Sequence, residues 1–363
     1  MSTAPELAPA TPPTAATPTP SARKLALSQQ SAATRLERSF ARCREVTKDR
    51  ARNFYYGLRL TPEPKRSAIY AIYSWMRDGD DRVDNATSPA AAAAELQRFA
   101  HLTSELLAGN HTADPELSGG YWPAFAHTVA RYSIERPIID AMLAGLAEDL
   151  APAAYPTDAE LEGYCYRVAS TAGLSCLRIW GLRADLLADA ATRESTIAIA
   201  DTKAIARGKA FQLTNILRDI AEDFDASPTR CYLPAAALAR HRITAGELRS
   251  WSKPASAMGL LDEYIDKARH FYDASAGLED LVEPDCAGSL WGMTRIYRGL
   301  LDLIATDPAR VVRGPRARLS TTAKASIALT AFVRSKSNYW PTDRQPAAAA
   351  SATGPASSGT HTP

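Results

Sequence analysis

The chain has 363 residues, of which 46% are apolar, and its formal net charge is +2. This apolar fraction is sufficient for a large buried core, so the chain is expected to be globular. With a net charge so close to zero, bulk charge implies neither nucleic acid nor an anionic membrane as a partner.

The cysteines and the terminal segments indicate a compartment. The five cysteines form no CxxC pair, which favours reduced thiols in the cytoplasm and no structural zinc. The chain has no run of about 18 apolar residues, so no membrane-spanning helix is predicted. The N-terminus lacks the charged start and apolar run of a secretory signal, so export is not expected.

The central part of the chain has a helical pattern, with apolar residues recurring at spacings of three and four. Residues 1–30 and 341–363 are rich in Pro, Thr, Ala and Ser and are predicted to be disordered, because they cannot bury enough surface to offset ordering entropy. Residues 31–340 are predicted to form one domain. The predicted helices are 30–50, 62–84, 90–109, 122–131, 135–149, 158–180, 186–225, 235–241, 245–253, 256–279, 284–306 and 319–337.

The segment 186–225 is predicted to be two helices, or one long helix interrupted near Gly208, because glycine weakens a helix interior. No alternating strands, internal repeats, dinucleotide fingerprint or P-loop occur. The pattern as a whole predicts an all-α bundle with a central cavity.

The first acidic motif ends the predicted helix 62–84. Tyr73, Arg77, Asp80 and Asp84 are spaced 4, 3 and 4, so they share one stripe of the helix. Asp80 and Asp84 therefore present two carboxylates side by side, which costs stability unless a cation neutralises them. Taken alone, such a motif is more often a solvated helix end.

The second motif changes this balance. Its polar stripe consists of Gln212, Asn215, Asp219 and Asp223. Apolar residues surround the stripe, so its carboxylates are expected to be buried and to need partners. One amide and two carboxylates form a ligand set for a hard cation such as Mg²⁺. The alternative is a buried ion-pair network with Arg218 and Lys209.

Two acidic walls that face each other would need several cations, and several cations would need a polyanion to bridge them. A diphosphate fits this requirement, with Arg77 and Arg218 contacting the remaining phosphate oxygens. Such a site would withdraw charge from a leaving pyrophosphate so that a C–O bond ionises. An apolar cavity beside it would hold a hydrocarbon and keep water from a carbocation.

Three ordered segments resemble the signatures of the squalene/phytoene synthase family, the head-to-head prenyltransferases among the class I isoprenoid synthases. The resemblance covers about residues 35–330 and implies an isoprenoid-synthase-type helical bundle, with 31–340 as the catalytic domain. The segments are 53–56 with 65–73 and 77–84, then 164–174, and finally 211–223 with 230–234.

The resemblance implies two to three Mg²⁺ ions, with Mn²⁺ as an alternative, and two prenyl diphosphates in one cavity. The first substrate ionises, and the double bond of the second attacks the cation to give a cyclopropyl diphosphate. The implied metal ligands are Asp80, Asp84, Asn215, Asp219 and Asp223. The implied catalytic residues are Asp80, Asp84, Asp219, Asp223, Tyr73 and Tyr164. The implied substrate-binding residues are Phe54, Arg77, Val168, Ala169, Ala172, Gln212, Arg218, Arg230, Tyr297, Arg316 and Lys324.

Several of these assignments have alternatives. Without the family resemblance, Tyr73 and Tyr164 are better explained as core residues with satisfied hydroxyls. The small residues of the 164–174 segment also suit close helix packing. Arg313 competes with Arg316 for the phosphate role, and the loop 224–230 is longer than is usual in the family.

The sequence indicates the family more clearly than it indicates the product or the cellular location. The substrates are expected to be farnesyl or geranylgeranyl diphosphate, with a C30 product favoured and a C40 phytoene as the alternative. A non-catalytic assembly factor and a terpene cyclase are the other classes considered. Use of NADPH and the oligomeric state stay open, and the protein is expected in the cytoplasm, with peripheral contact at the inner membrane face.

Overall fold

The computed structural model describes residues 20–51, 57–111, 114–150 and 154–335, with side chains from residue 30 onward. These residues form helices and no strand of a sheet, which confirms the all-α prediction. The α-helices are α1 Pro20–Arg50, α2 Lys65–Asp84, α3 Pro89–Leu107, α4 Trp122–Arg131, α5 Arg136–Glu148, α6 Asp158–Cys165, α7 Thr171–Trp180, α8 Ala190–Asp225, α9 Ala235–Arg240, α10 Ala245–Ser250, α11 Pro254–Ala274, α12 Pro284–Thr306, α13 Arg310–Arg313 and α14 Thr321–Arg334.

Most predicted helix boundaries agree with the structure to within a few residues, and two predicted helices differ more. Helix α1 begins at Pro20, ten residues before the predicted start. The predicted helix 158–180 is α6 and α7 joined by a π-helical turn, Tyr166–Ser170, and such turns often mark functional sites.

The predicted interruption near Gly208 is wrong, because α8 runs unbroken for 36 residues. Gly208 has a packing role instead. A Cβ atom there would overlap the backbone of Ser170 in the π-helical turn. The hydroxyl of Ser170 donates a hydrogen bond of 2.7 Å to the carbonyl oxygen of Ile205 on α8. Glycine therefore allows the turn and α8 to touch, which a side chain would prevent.

The first core surrounds Trp75 on α2. Its ring stacks on Phe125 of α4 at 4.9 Å and on Phe99 of α3 at 5.3 Å between ring centroids. Gly79 is buried in the same place, and a Cβ there would come within 2.5 Å of Leu146 on α5. The glycine just before the acidic pair thus permits close packing of α2, which fixes the helix end that carries Asp80.

The second core joins α8, α11 and α12 through fully buried aliphatic and aromatic side chains. Phe211, near the middle of α8, packs against both cores. Helix α8 is therefore the central wall that both cores position. Among the described helices, none is both long enough and apolar enough to span a bilayer.

Candidate active site

The acidic pair on α2, Asp80 and Asp84, has a third acid near it, Asp149, which the sequence did not indicate. Arg77 forms ion pairs with Asp81 and, at 3.9 Å, with Asp80. Burial raises the pKa of Asp80 to about 7, although Arg77 acts in the opposite direction. The carboxylates of Asp149 and Asp84 add to that rise. These acids repel one another, and a cation placed among them would relieve the repulsion.

The carboxylate of Asp219 on α8 is held by two arginines. Arg218 donates to both of its oxygens, at 2.7 and 2.6 Å, and Arg316 does the same at 2.7 and 2.7 Å. Burial alone would raise the pKa of Asp219, but these bonds outweigh burial and hold the pKa below its ordinary value. The predicted alternative was a buried ion-pair network of this motif with Arg218 and Lys209. Arg218 does pair with Asp219, whereas Lys209 pairs with Glu162 at 2.7 Å.

Arg230 connects the two acidic motifs. Its backbone N–H donates to the carbonyl oxygen of Asp223 at 2.9 Å and so closes the loop 224–230 onto α8. Burial raises the pKa of Asp223 to about 6, and the neighbouring Asp219 carboxylate adds to the rise while Arg230 opposes it. The Arg230 guanidinium also interacts with Asp149 and Asp84. We call the region around this guanidinium, which is within electrostatic range of acids on both α2 and α8, the acidic space.

The side-chain oxygen of Asn215 indicates whether the acidic space suits a hard cation. Asn215 is one turn before Asp219, and its Oδ1 is buried without a hydrogen-bond partner. Its Nδ2 donates to Oε1 of Gln212 at 3.5 Å, which leaves Oδ1 as the available atom. A buried carbonyl oxygen without a donor is costly, and a metal ion would satisfy it. The residues present therefore fit a divalent cation.

Neither motif forms a complete metal site. In the part of the chain that the structure describes, no group of three or more His, Cys, Asp or Glu side chains is placed to hold an ion. Each motif supplies only part of a coordination shell. This arrangement suits Mg²⁺, which usually keeps water and substrate phosphate oxygens as its other ligands.

A basic cavity of about 520 Å³ opens beside α8. Its charged lining residues are Arg50, Arg218, Arg316, Arg318 and Lys324. Three of these were predicted as phosphate contacts, and Arg50 and Arg318 were not. Arg313, the alternative to Arg316, is exposed and is not part of this lining. A concave surface with this charge is suited to a polyanion.

A second, apolar cavity has a volume of about 210 Å³, and Tyr297 lines both this cavity and the basic one. Tyr297 stacks on Phe211 with ring centroids 4.3 Å apart. The predicted residues in this lining are Val168, Ala169, Ala172, Gln212 and Asn215. The cavity exists because the π-helical turn and α7 present small side chains to α8. A polar and an apolar compartment therefore meet at one ring.

The family model for squalene/phytoene synthase matches residues 47–323 of the chain. The chain belongs to this family. It is 36% identical to the phytoene synthase of Arthrospira platensis over 268 residues, which is 73% of this chain and 84% of that protein. It is 33% identical to the 15-cis-phytoene synthase of Synechocystis, over 75% of this chain and 78% of that protein.

Solved structures that are similar to this chain show the same fold. A dehydrosqualene synthase crystallised with a ligand is 24% identical with a TM-score of 0.66, over 83% of this chain and 98% of that one. A squalene synthase from Alicyclobacillus acidocaldarius is 23% identical with a TM-score of 0.63, over 75% and 94% of the two chains. The predicted isoprenoid-synthase-type architecture is confirmed.

The family membership confirms the predicted class of reaction. As a member of this family the protein is a prenyltransferase, and its reaction is the head-to-head condensation of two prenyl diphosphates. The non-catalytic assembly factor and the terpene cyclase lose their support.

Several predicted residues are not in the lining of either cavity: Asp80, Asp84, Asp219, Asp223, Arg77, Arg230, Tyr73 and Tyr164. Phe54 lies outside the described residues. Tyr164 is buried in a stack with Tyr232, at 5.3 Å between ring centroids, and its hydroxyl donates to Oδ1 of Asp149 at 3.2 Å. Tyr73 is half-buried, and burial raises its pKa. Both tyrosines border the acidic space and are absent from the apolar lining.

Three residues of this site were not predicted from the sequence. Asp149 follows α5 directly and has the appearance of an ordinary charged helix end, yet burial raises its pKa to about 6. Arg50 ends α1, far from any motif. Arg318 lies among other arginines between α13 and α14. Only the packing of distant segments brings them to the site.

Proposed function

We propose that the protein condenses two molecules of geranylgeranyl diphosphate to the C40 hydrocarbon phytoene. The supporting observation is the similarity to cyanobacterial phytoene synthases at 36, 33 and 32% identity, over 84, 78 and 87% of their lengths. The squalene-type structures are less similar and inform only the fold. The C40 product therefore replaces the C30 product that the sequence alone favoured.

In this proposal the acidic space holds Mg²⁺ through the five predicted ligands. The metal supplies positive charge that neutralises the diphosphate as it leaves. The orphaned Oδ1 of Asn215 and the raised pKa of Asp80, to about 7, support these two ligands. Asp219 is available once Arg218 and Arg316 transfer their hydrogen bonds to phosphate oxygens, which match a guanidinium as well as a carboxylate does.

The basic cavity binds the diphosphates, and the apolar cavity binds the hydrocarbon. Arg218, Arg316 and Lys324 line the first and hold the leaving group by charge. Val168, Ala169 and Ala172 line the second and leave room for a prenyl chain. Because the apolar walls offer water few hydrogen bonds, they protect the allylic cation from hydrolysis.

The reaction then needs no external reductant. The C1–O bond of the first substrate breaks, and its cation is attacked by the double bond of the second with loss of a proton, which gives the cyclopropyl diphosphate. Loss of the second diphosphate and rearrangement give a cation that ends by losing another proton, whereas squalene formation would require a hydride. NADPH is accordingly not part of this proposal.

The test is a product assay with purified protein and Mg²⁺. Geranylgeranyl diphosphate should give pyrophosphate and a C40 hydrocarbon at the same rate with and without NADPH, and farnesyl diphosphate should be turned over more slowly. A C30 product formed faster than the C40 product would overturn the chain-length assignment. Asp219→Asn should abolish turnover while leaving the fold intact, and Asp140→Asn on the exposed side of α5 is the matched control.

We also infer a cytoplasmic protein that touches a membrane surface. All five cysteines are free thiols, as a reducing compartment requires. The C40 product is almost insoluble in water, so release into a bilayer is favoured over release into solvent.

A further inference from the structure

The apolar cavity extends along α8, away from the acidic motif of that helix. Its lining includes Asn215 and Gln212, which belong to the polar stripe, and reaches back to Ala204. Asn215 and Ala204 are eleven positions apart on a continuous helix, which is about 16 Å along its axis. One end of the cavity therefore lies beside a predicted metal ligand, and we call the other the remote end.

Helix α12 follows the cavity in the same direction. Tyr297 stacks on Phe211 close to the polar stripe. About one turn further back on both helices, Arg207 of α8 donates a hydrogen bond to the hydroxyl of Thr294. Leu290 comes one more turn back along α12 and also lines the cavity. This part of α12 therefore belongs to the remote end.

Helix α7 runs in the opposite direction and finishes at the remote end. A Cβ atom on Gly173 would lie 3.4 Å from the carbonyl oxygen of Ala204. Nearer the end of α7, Arg178 forms two hydrogen bonds to the carboxylate of Asp201, at 2.6 and 2.8 Å. Trp180 is the last residue of α7 and lines the cavity. Its indole is therefore at the remote end.

A buried pair of hydroxyls fixes the indole of Trp180. Its Nε1 donates to Oγ1 of Thr61 at 3.3 Å, and Thr61 donates to Oγ of Ser289 on α12 at 2.8 Å. Thr61 and Ser289 are 0% exposed, and Trp180 is 3% exposed. The backbone is held as well, because the carbonyl oxygen of Gly181 accepts from the N–H of Glu283 at 3.0 Å. The ring is thus anchored to two other segments of the chain.

We propose that Trp180 limits the length of the prenyl chain that the cavity accepts, with Thr61 as its positioning residue. The inference rests on the proposed function, because a chain whose diphosphate lies at the acidic end extends along this cavity towards Trp180. A longer chain meets the indole, and the hydrogen bond to Thr61 keeps the ring from turning aside. Since a packed interior takes up additional methylene groups only at a cost, the longer substrate is rejected.

Trp180→Phe with a series of prenyl diphosphates tests the proposal. The wild type should use the C25 diphosphate much less efficiently than geranylgeranyl diphosphate. In Trp180→Phe the kcat/KM for the C25 diphosphate, divided by that for geranylgeranyl diphosphate, should rise at least about tenfold, because a single methylene in an apolar pocket changes this ratio by about 10–200-fold. Trp180→Ala should raise the ratio further, because it leaves more space.

Trp75 and Thr103 provide matched controls. Nε1 of Trp75 donates to Oγ1 of Thr103 at 3.0 Å, both residues are fully buried, and neither lines the apolar cavity. Trp75→Phe and Thr103→Val should therefore lower the melting temperature without changing the ratio. Thr61→Val should raise the ratio by a smaller factor than Trp180→Phe, because the indole stays but loses its hydrogen-bond partner.

Equal ratios in Trp180→Phe and Trp75→Phe would overturn the proposal, as would a wild type that uses both diphosphates equally well. A ratio in Thr61→Val no higher than that in Thr103→Val would overturn the positioning role of Thr61. The proposed function fails separately, if the wild type prefers farnesyl diphosphate. In that case Trp180 still limits the chain if Trp180→Phe raises the use of geranylgeranyl over farnesyl diphosphate at least about tenfold.

Discussion

Removal of Glu279 should destabilise the protein strongly. Glu279 and Arg207 form a buried ion pair at 2.6 Å, with 9 and 5% of their side chains exposed. The guanidinium also donates to the hydroxyl and the carbonyl oxygen of Ser275, at 2.8 and 2.9 Å. Arg207 belongs to the lining of the apolar cavity, so the pair fixes one wall of the predicted substrate pocket.

Glu279→Ala leaves a buried cation without its counter-charge, which costs about 3–5 kcal/mol. Because the free energy of unfolding of a native protein is about 5–15 kcal/mol, this cost is a large share of the total stability. At about 2 °C per kcal/mol for a large domain, the melting temperature should fall by about 6–10 °C. Guanidinium unfolding at pH 7 measures the change.

The pH dependence gives a second readout of the same pair. Burial would raise the pKa of Glu279, but Arg207 outweighs burial and holds the pKa below its ordinary value. A depressed acid pKa stabilises the fold above the unfolded-state pKa, and this contribution disappears as the pH falls through the folded-state value. The difference between wild type and Glu279→Gln should therefore shrink on acidification.

Two comparisons make the result decisive. The double variant Arg207→Met with Glu279→Leu should lose much less stability than the sum of the single variants, because it leaves no charge buried. Asp140→Ala breaks an exposed pair with Arg136 and should cost about 0–1 kcal/mol. A loss below about 1 kcal/mol in Glu279→Ala would refute the reasoning.

Packing, charge and cavity shape each give one further measurable outcome. Gly208→Ala should cost at least about 1–3 kcal/mol in chemical unfolding, because its Cβ would overlap the Ser170 backbone. Folding raises the pKa of Asp80 from 3.8 to about 7, so the charged form of this acid destabilises the folded state. In metal-free buffer Asp80→Asn should therefore raise the melting temperature, and most above about pH 7. This gain should vanish as the pH falls towards 3.8. Ala169→Phe should reduce the turnover of geranylgeranyl diphosphate more than that of farnesyl diphosphate in product analysis, because the new ring would occupy part of the apolar cavity.

Each of these outcomes has a matched control. Gly246→Ala adds a methyl group with nothing within 4 Å and should not destabilise α10. Asp140→Asn removes an exposed acid and should not raise the melting temperature. Ala198→Phe places a ring on the exposed side of α8 and should leave the substrate preference unchanged. Equal effects in a variant and its control would contradict the corresponding prediction.

The helices and the acidic stripes were predictable because they depend on local spacing. Asp80 with Asp84 and Asp219 with Asp223 are each four residues apart, and an α-helix places such residues on one face whatever surrounds it. That both stripes border one space follows from the fold, and the sequence could suggest it only through the chemistry of a diphosphate.

What depends on contacts between distant segments was not predictable. Gly208 indicated a helix break from propensity, whereas its place is set by the approach of Ser170. Asp149 and Arg318 had no motif to distinguish them from surface charge. Arg316 was expected to contact phosphate, and in the structure its guanidinium binds the nearby carboxylate of Asp219.

The shared position of Tyr297 has a kinetic consequence for the proposed reaction. A prenyl diphosphate that spans both cavities has its scissile bond at this ring, with its anionic head on one side and its carbon tail on the other. Once the bond breaks, the anion lies in the basic cavity, where the arginines restrain it, and the cation lies in the apolar cavity. Internal return, the recombination that would waste the ionisation, is thereby slowed, so the carbocation survives long enough to meet the second alkene.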